Sequence, residues 1–151
     1  MLYIGADHRG FALKESLKRY LSAQGVTLED YGATTPIPDD DYVDFGMAVA
    51  KAVATDPIVN RGVLICGSGV GMSVVANKAR GVRAALVRSH HQAVASRTDD
   101  DANVLVLDAD ETTEPEAAEM IRAWLNTPFS GEERHRRRLE KIKALETESF
   151  R

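Results

Sequence analysis

Cys66 is the only cysteine of the 151-residue chain, and it opens the run Cys66-Gly67-Ser68-Gly69-Val70-Gly71-Met72-Ser73. Three glycines at alternate positions clear side chains from a turn. Its N–H groups, with those of a following helix, can then surround negative charge. A thiol at the edge of such a turn is expected to be acidified and to act as a nucleophile or general base. Taken alone, a cysteine is more often a small core residue, and a glycine-rich turn a tight strand-to-helix connection. Two nucleotide-binding devices do not fit. Gly67-x-Gly69-x-Gly71 lacks the G-x-G-x-x-G register, and no Gly-Lys-Ser/Thr closes the run.

A second polar segment, Gly5-Ala6-Asp7-His8-Arg9-Gly10, follows a short apolar run. Asp7 can exchange protons with substrate hydroxyls and His8 can donate to an anion, the plainer alternative being a helix-capping turn. Arg134-His135-Arg136-Arg137-Arg138 is the one dense basic cluster. At about 100° per residue, Arg134 and Arg138 share a helix side with Leu139, Ile142 and Leu145. They are therefore expected to face the protein body or a partner subunit, with Arg136 and Arg137 toward solvent. Inward guanidinium groups call for an anion, and phosphate suits their planar fork. No metal is expected. His90 and His91 are adjacent and leave on different helix faces, and the aspartates at 39–41 and 99–101 lack calcium-loop spacing and read as solvated turns.

The elements that must position these groups follow from hydrophobic periodicity. Leu2-Tyr3-Ile4, Val26-Thr27-Leu28, Val63-Leu64-Ile65-Cys66, residues 82–87 and residues 104–107 read as strands. Between the first two, Leu13, Leu17, Tyr20 and Leu21 recur at helical spacing, with Lys14, Glu15, Lys18 and Arg19 on the other side. Gly25 suits a left-handed helix end, and Asp41 suits the cap of a helix bearing Phe45, Val49 and Val53. Further helices are expected after Gly71 to about 78, over 90–97, and from the capping box of Thr113 and Glu116 to Leu125. A charged helix over about 132–148 ends the pattern. Strict alternation predicts one α/β domain over residues 1–151, a three-layer α/β/α Rossmann-like arrangement with a five-stranded parallel sheet. Ligands of such sheets bind beyond the carboxyl ends of the strands, where the segments at Asp7 and Cys66 both emerge.

Composition narrows the setting. With 44% apolar and 28% charged residues, the chain has a formal net charge of -4. A domain of this length buries roughly 70% of its unfolded surface and needs no disulfide staples. A lone cysteine points to a reducing cytoplasm, and the apolar runs fall far short of the ~20 residues that cross a bilayer. Mild acidity argues against nucleic acid or an anionic membrane as partner.

Together the segments resemble ribose-5-phosphate isomerase type B and the related galactose-6-phosphate isomerase subunits. The resemblance spans essentially the whole chain. It is carried by Gly5-Ala6-Asp7-His8-Arg9-Gly10-Phe11, Asp41-Tyr42, the run from Ile65 to Ser73, Ala76-Asn77-Lys78, Gly81-Val82-Arg83-Ala84, Ala102-Asn103-Val104-Leu105, and Arg134-His135 with Arg138. It implies an aldose–ketose isomerase without cofactor or metal, acting on a phosphorylated sugar through a cis-enediolate. Ribose 5-phosphate and ribulose 5-phosphate are the default pair. Cys66 then matches the base that moves a proton between C1 and C2. Ser68 and the loop residues Gly67, Gly69, Val70, Gly71 and Ser73 hold the substrate and the enediolate charge. Asp7 handles the C1 and C2 oxygens, Tyr42 lines the sugar site, and His8, Arg134 and Arg138 hold phosphate. The resemblance also implies a homodimer, with tetramers as a further state, whose active sites are shared between subunits and whose C-terminal helix contributes to the interface.

Two positions depart from the family pattern. Where the family has Ser-Arg-x-His-Asn-x-x-Asn-Val-Leu, this chain reads Ser96-Arg97-Thr98-Asp99-Asp100-Asp101-Ala102-Asn103-Val104-Leu105. Asp99 thus stands for the histidine that opens a furanose ring, and Asp100 for the asparagine beside it. A carboxyl group with a pKa near 4 is a poor acid at pH 7 unless burial raises it. Where the family often has Gly-x-Arg, this chain has Asp108-Ala109-Asp110. A tetrose 4-phosphate cannot close a furanose, because its O4 carries the phosphate. Erythrose and erythrulose 4-phosphates are therefore the alternative substrates. A non-catalytic sugar-phosphate-binding module is the alternative from another class, since it needs the loop and the arginines but not the thiol.

Overall fold

In the computed structural model, which describes residues 1–149, Val63, Leu64 and Ile65 have no exposed surface. They form the middle of β3 (Arg61–Cys66), in a sheet that also contains β1 (Leu2–Ala6), β2 (Leu28–Asp30), β4 (Ala84–Leu86) and β5 (Val104–Asp108). The order is β2-β1-β3-β5-β4, and every pairing is parallel. Helices α1 (Phe11–Ala23), α2 (Tyr42–Ala54), α3 (Val70–Ala76), α4 (His90–Thr98) and α5 (Glu114–Asn126) connect the strands or follow β5, and α6 (Glu133–Ser149) ends the chain. A parallel sheet needs both faces covered, which explains the unbroken apolar run of β3. On one face Ile4, Ile65 and Leu107 pack with Leu17 of α1 and Ile121 and Trp124 of α5. On the other, Leu64, Cys66 and Val106 pack with Val49 of α2 and Met72 of α3. The expected α/β/α architecture is the one observed.

Three local expectations are corrected. The second strand begins at Leu28 rather than Val26, because Val26 belongs to the end of α1. Its N–H donates to Leu21 O at 3.0 Å and that of Gly25 to Ser22 O at 3.0 Å, with Gly25 at φ 75°. This left-handed helix termination consumes Val26 before the sheet is reached. Asp41 occupies the N-cap position of α2, but its side chain makes no capping bond. Lys14, expected on the polar side of α1, is fully buried. Its Nζ donates to Asp30 Oδ2 at 2.6 Å and to the Ala33 carbonyl at 2.7 Å, tying α1 to β2 and to the loop after it. The capping box is realised, with the Thr113 N–H donating to Glu116 Oε2 at 2.9 Å.

The Lys14 anchor matters beyond stability, since the loop it fixes leads to residues 40–42. Burial alone would raise the Asp30 pKa, but the ammonium groups of Lys14 and Lys18 and the Gly32 N–H outweigh it and hold the carboxyl below 3.8. A depressed carboxyl pKa stabilises the fold above its unfolded value, and that contribution is lost as pH falls through the folded one. Lys14→Ala is expected to lower unfolding free energy by about 2 kcal/mol in urea titrations at pH 7. The gap between variant and parent should narrow as pH drops below about 4. Lys14→Met, which keeps the packed stem, should lose less.

Candidate active site

Cys66 ends the central strand with a neighbour on each side. Ala6 pairs with Ile65 in the β1–β3 ladder, so Asp7 emerges beside Cys66, while Asp108 pairs with Cys66 itself from β5. The ladder continues beyond the strand, with Ala109 N–H donating to Cys66 O at 2.9 Å and Asp110 N–H to Gly67 O at 3.0 Å. The thiol is buried at 5% exposure. Its pKa departs in the opposite direction from the one expected of a glycine-loop cysteine. Burial pushes it above 9.0, and the Asp7 charge adds to that, although the N–H groups of Met72, Gly69 and Gly71 pull it down. The donors foreseen in the sequence are present. In the isolated chain, desolvation of the thiolate outweighs them.

The loop's shape depends on Gly69. It sits at φ 74°, and a side chain there would run into Leu86 and the Leu107 carbonyl. With Gly69 turned this way, α3 starts at Val70, and the Gly69 carbonyl accepts from the Ser73 N–H at 3.0 Å. Ser68 is exposed at the tip, and its Oγ accepts from Val70 N–H at 3.4 Å. Tyr42, from the first turn of α2, lays its ring against Gly71. The structure therefore brings Cys66, Ser68, Gly67, Gly69, Val70, Gly71, Ser73, Asp7 and Tyr42 to one end of the sheet.

His8 joins them with a partner the sequence did not disclose. Asp40 Oδ1 lies 2.6 Å from His8 Nδ1 and accepts from the His8 backbone N–H at 3.0 Å. The hydrogen bond from Asp40 raises the imidazole pKa above 6.5, burial opposes it, and the charges of Asp40, Asp7 and Asp39 reinforce it. Asp7 Oδ1 accepts from the N–H groups of Arg9 and Gly10, both at 3.0 Å, which fixes the carboxylate at the turn into α1. Among the described residues, Asp7, His8 and Asp40 are the group of side chains able to reach a common metal ion, their ligand atoms lying within 4.8 Å of one another. Most of those atoms are already engaged, the His8 nitrogen by Asp40 and one Asp7 oxygen by two N–H groups.

The remaining expected residues lie at the other end of the sheet. Asp99 caps the carboxyl end of α4, five residues ahead of Val104, where β5 begins. Since β5 runs toward Cys66, roughly 13 Å of strand separates the two ends. Asp100 is beside Asp99, its carbonyl accepting from Arg83 Nε at 2.9 Å just before β4. The long helix α6 follows this amino end, from His135 Nε2 at 3.8 Å from Asp99 Oδ1 to Glu146, whose carboxylate accepts from the Gly81 N–H at 3.1 Å. Of the two orientations expected for Arg134 and Arg138, toward the protein body or toward a partner subunit, the first is corrected. Both are exposed, Ile142 and Leu145 are also exposed, and the side chain that α6 buries is His135. The contact line of the helix runs through His135, Leu139 and Glu146, about 100° away from Arg134.

Sequence reasoning thus missed Asp40, which sits in an aspartate run that reads as a solvated turn, and Arg9 with Asp110, whose Nη2 and Oδ2 are 2.5 Å apart. It singled out Asp108 as part of a departure from the family pattern but not its complete burial or its pairing with Arg88, whose Nε lies 2.8 Å from Oδ2. The one available signal for Asp40 was its proximity in sequence to Asp41-Tyr42.

Comparison with known proteins gives a consistent set of relatives. The chain matches the Ribose/Galactose Isomerase family over residues 2–142. It is 38% identical to a probable ribose-5-phosphate isomerase B of Mycoplasma genitalium, covering 98% of this chain and 97% of that one. It is 37% identical to the D-erythrulose-4-phosphate isomerase of Pectobacterium atrosepticum, over 85% of this chain and 84% of that one. A crystal structure of the Mycoplasma genitalium ribose-5-phosphate isomerase B with bound ribulose-5-phosphate superposes with a TM-score of 0.95, at 38% identity, covering 98% of this chain and 97% of that one.

The Asp40–His8 contact yields a direct test. Asp40→Asn removes the carboxylate that stabilises the imidazolium, so the His8 titration followed by NMR should move down toward 6.5. Phosphate affinity should then fall more steeply than in the parent between about pH 6 and pH 8. An unchanged His8 titration would remove Asp40 from the site.

Proposed function

The chain belongs to the Ribose/Galactose Isomerase family, and from that premise we propose that it interconverts a phosphorylated aldose and its ketose, with ribose 5-phosphate and ribulose 5-phosphate as the default pair. The observation that carries this reading is the placement of Cys66. The thiol is buried beside Asp7, with the N–H groups of Gly69, Gly71 and Met72 directed at it. As thiolate, Cys66 removes the C2 proton of the open-chain aldose. The electron pair forms the C1–C2 double bond, and the carbonyl oxygen O1 takes the negative charge. Return of the proton to C1, with loss of the proton from O2, gives the ketose. Asp7 moves the proton between O1 and O2, and the loop N–H groups with the Ser68 hydroxyl offset the enediolate charge. Tyr42 walls the sugar, and His8 receives the phosphate.

Asp99, Asp100, Arg134 and Arg138 enter this scheme from a second copy. They sit at the amino end of the sheet, opposite Cys66, so one chain carries two half-sites facing apart. A homodimer with shared active sites joins them, which accords with the exposed Val70 and Val74 on α3 and Ile142 and Leu145 on α6. The catalytic thiol suits a reducing compartment, the cytoplasm. Among the described residues no helix is long and apolar enough to cross a membrane. A four-carbon substrate pair, erythrose and erythrulose 4-phosphate, is the second reading. It is favoured by the exposed carboxylate Asp99 where a ring-opening histidine would stand, and by the relative that acts on D-erythrulose 4-phosphate.

Three measurements test this. In a panel of phosphorylated aldoses and ketoses followed by proton exchange at C1 and C2, Cys66→Ala is expected to lose roughly a thousandfold in turnover while still binding substrate. Retained exchange would leave a binding module without thiol chemistry. Burial pushes the Cys66 thiol up from its ordinary pKa, so the rate should climb with pH across the neutral range as the thiolate forms. Mixing equal amounts of Cys66→Ala and the Arg134→Ala/Arg138→Ala variant should restore about a quarter of parental activity. Half the dimers are then mixed, each with one intact site. No recovery after verified subunit exchange would place every functional group within one chain.

A further inference from the structure

We propose that Arg9 is a ligand for the anionic end of the substrate, and that Asp110 is the positioning residue that holds its guanidinium against the glycine loop. This rests on the sugar-phosphate isomerase reading and adds to it a residue on the same chain as Cys66.

Two contacts place the guanidinium, and the backbone on either side of them is fixed. Arg9 stands in the turn three residues past β1 and one before Gly10, which packs so tightly on the Ile65 carbonyl that a side chain there would collide with it. Arg9 Nη2 donates to Asp110 Oδ2 at 2.5 Å. Its Cζ and Nε lie over Gly67, and a Cβ built on that glycine would come within 2.6 Å of both atoms. Asp110 is fixed in turn, because its N–H donates to the Gly67 carbonyl at 3.0 Å. Gly67 is therefore spanned by an ion pair whose two halves come from the loops after β1 and β5, and its missing side chain makes room for the guanidinium.

The pair is too open to be explained by stability. The side chains are 55% and 40% exposed, and pairs of that kind contribute little to folding. Its effect is on charge and shape at the loop. Alone, Asp110 would repel a phosphate approaching the residue next to Cys66. Paired, its charge is cancelled, and Arg9 keeps four of its five guanidinium N–H groups without a partner among the described residues. His8, adjacent in sequence, is held in the same manner by Asp40, whose carboxylate lies 2.6 Å from Nδ1 and favours the imidazolium. Two consecutive basic residues are thus each oriented by a carboxylate from a distant loop, and Arg9 borders the turn that carries the thiol. A planar fork fixed in this way matches the oxygens of a phosphate monoester.

The test combines steady-state kinetics with calorimetric titration of inorganic phosphate into the full-length protein. Arg9→Gln should raise KM and weaken phosphate binding, each roughly tenfold, with kcat within about threefold of the parent. Arg9→Lys should recover part of the loss, since the charge returns without the fork. Asp110→Asn should also weaken phosphate binding, because the guanidinium loses its orientation. If Asp110 merely repels the ligand, the same variant will bind more tightly, and the positioning role is overturned. Unchanged KM and phosphate affinity in Arg9→Gln, beside an active parent, would overturn the assignment of Arg9. A parent that isomerises no phosphorylated sugar would instead refute the isomerase reading, with the phosphate titration still reporting on Arg9.

Discussion

The ladder between β3 and β5 does not stop where the strand does. Ala109 and Asp110 continue to donate to Cys66 and Gly67, and β1 presents Asp7 on the other side. Everything at the carboxyl end of the sheet is set against this fixed edge. It holds the glycine loop in place, buries the thiol, and keeps the backbone donors of Gly69, Gly71 and Met72 on the sulfur. The cost is desolvation, which raises the thiol pKa in the isolated chain. Burial disfavours the thiolate while the loop donors favour it. Nearby cationic charge therefore has leverage on it.

The same parallel topology separates the functional groups. In a parallel sheet every strand-to-helix turn falls at one end and every helix-to-strand turn at the other. Asp7, His8, Tyr42, the Cys66 loop and Asp110 belong to the first set. Asp99, Asp100 and the arginines of α6 belong to the second. No rotation of side chains bridges a strand's length, so proximity of the two sets requires another copy.

Charge pairing distinguishes the two departures from the family pattern. The chain is acidic overall, yet three acids at the thiol's end of the sheet have a cationic partner: Asp40 with His8, Asp110 with Arg9, and Asp108 with Arg88, while Asp7 is held by backbone N–H groups. The formal charge of -4 conceals an active-site end in which the carboxylates orient cations. Asp99 is different. It is exposed, its Oδ1 accepts from the Thr98 hydroxyl at 2.9 Å, and among the described residues its nearest ionisable neighbour is His135, whose Nε2 lies 3.8 Å away.

The strand–helix alternation, the β3 core, the capping box of α5 and the turn around Cys66 were all legible from residue order. Each depends on contacts between near neighbours in the chain, or on periodicity, which one-dimensional patterns record. The start of β2, the burial of Lys14 and the outward face of Arg134 and Arg138 were not. Val26 was claimed by a helix end, Lys14 found its partners on β2, and α6 chose His135 as its buried side. Asp40 and His8 are 32 residues apart, and Arg9 and Asp110 are 101 apart. Such pairs leave no trace in local spacing, because they exist only once parallel pairing has brought the ends of separate strands together. Sequence alone determined the chemistry that was on offer, a single thiol before a run of backbone donors. Tertiary structure decided which charges surround that thiol and which expected residues one chain cannot bring to it.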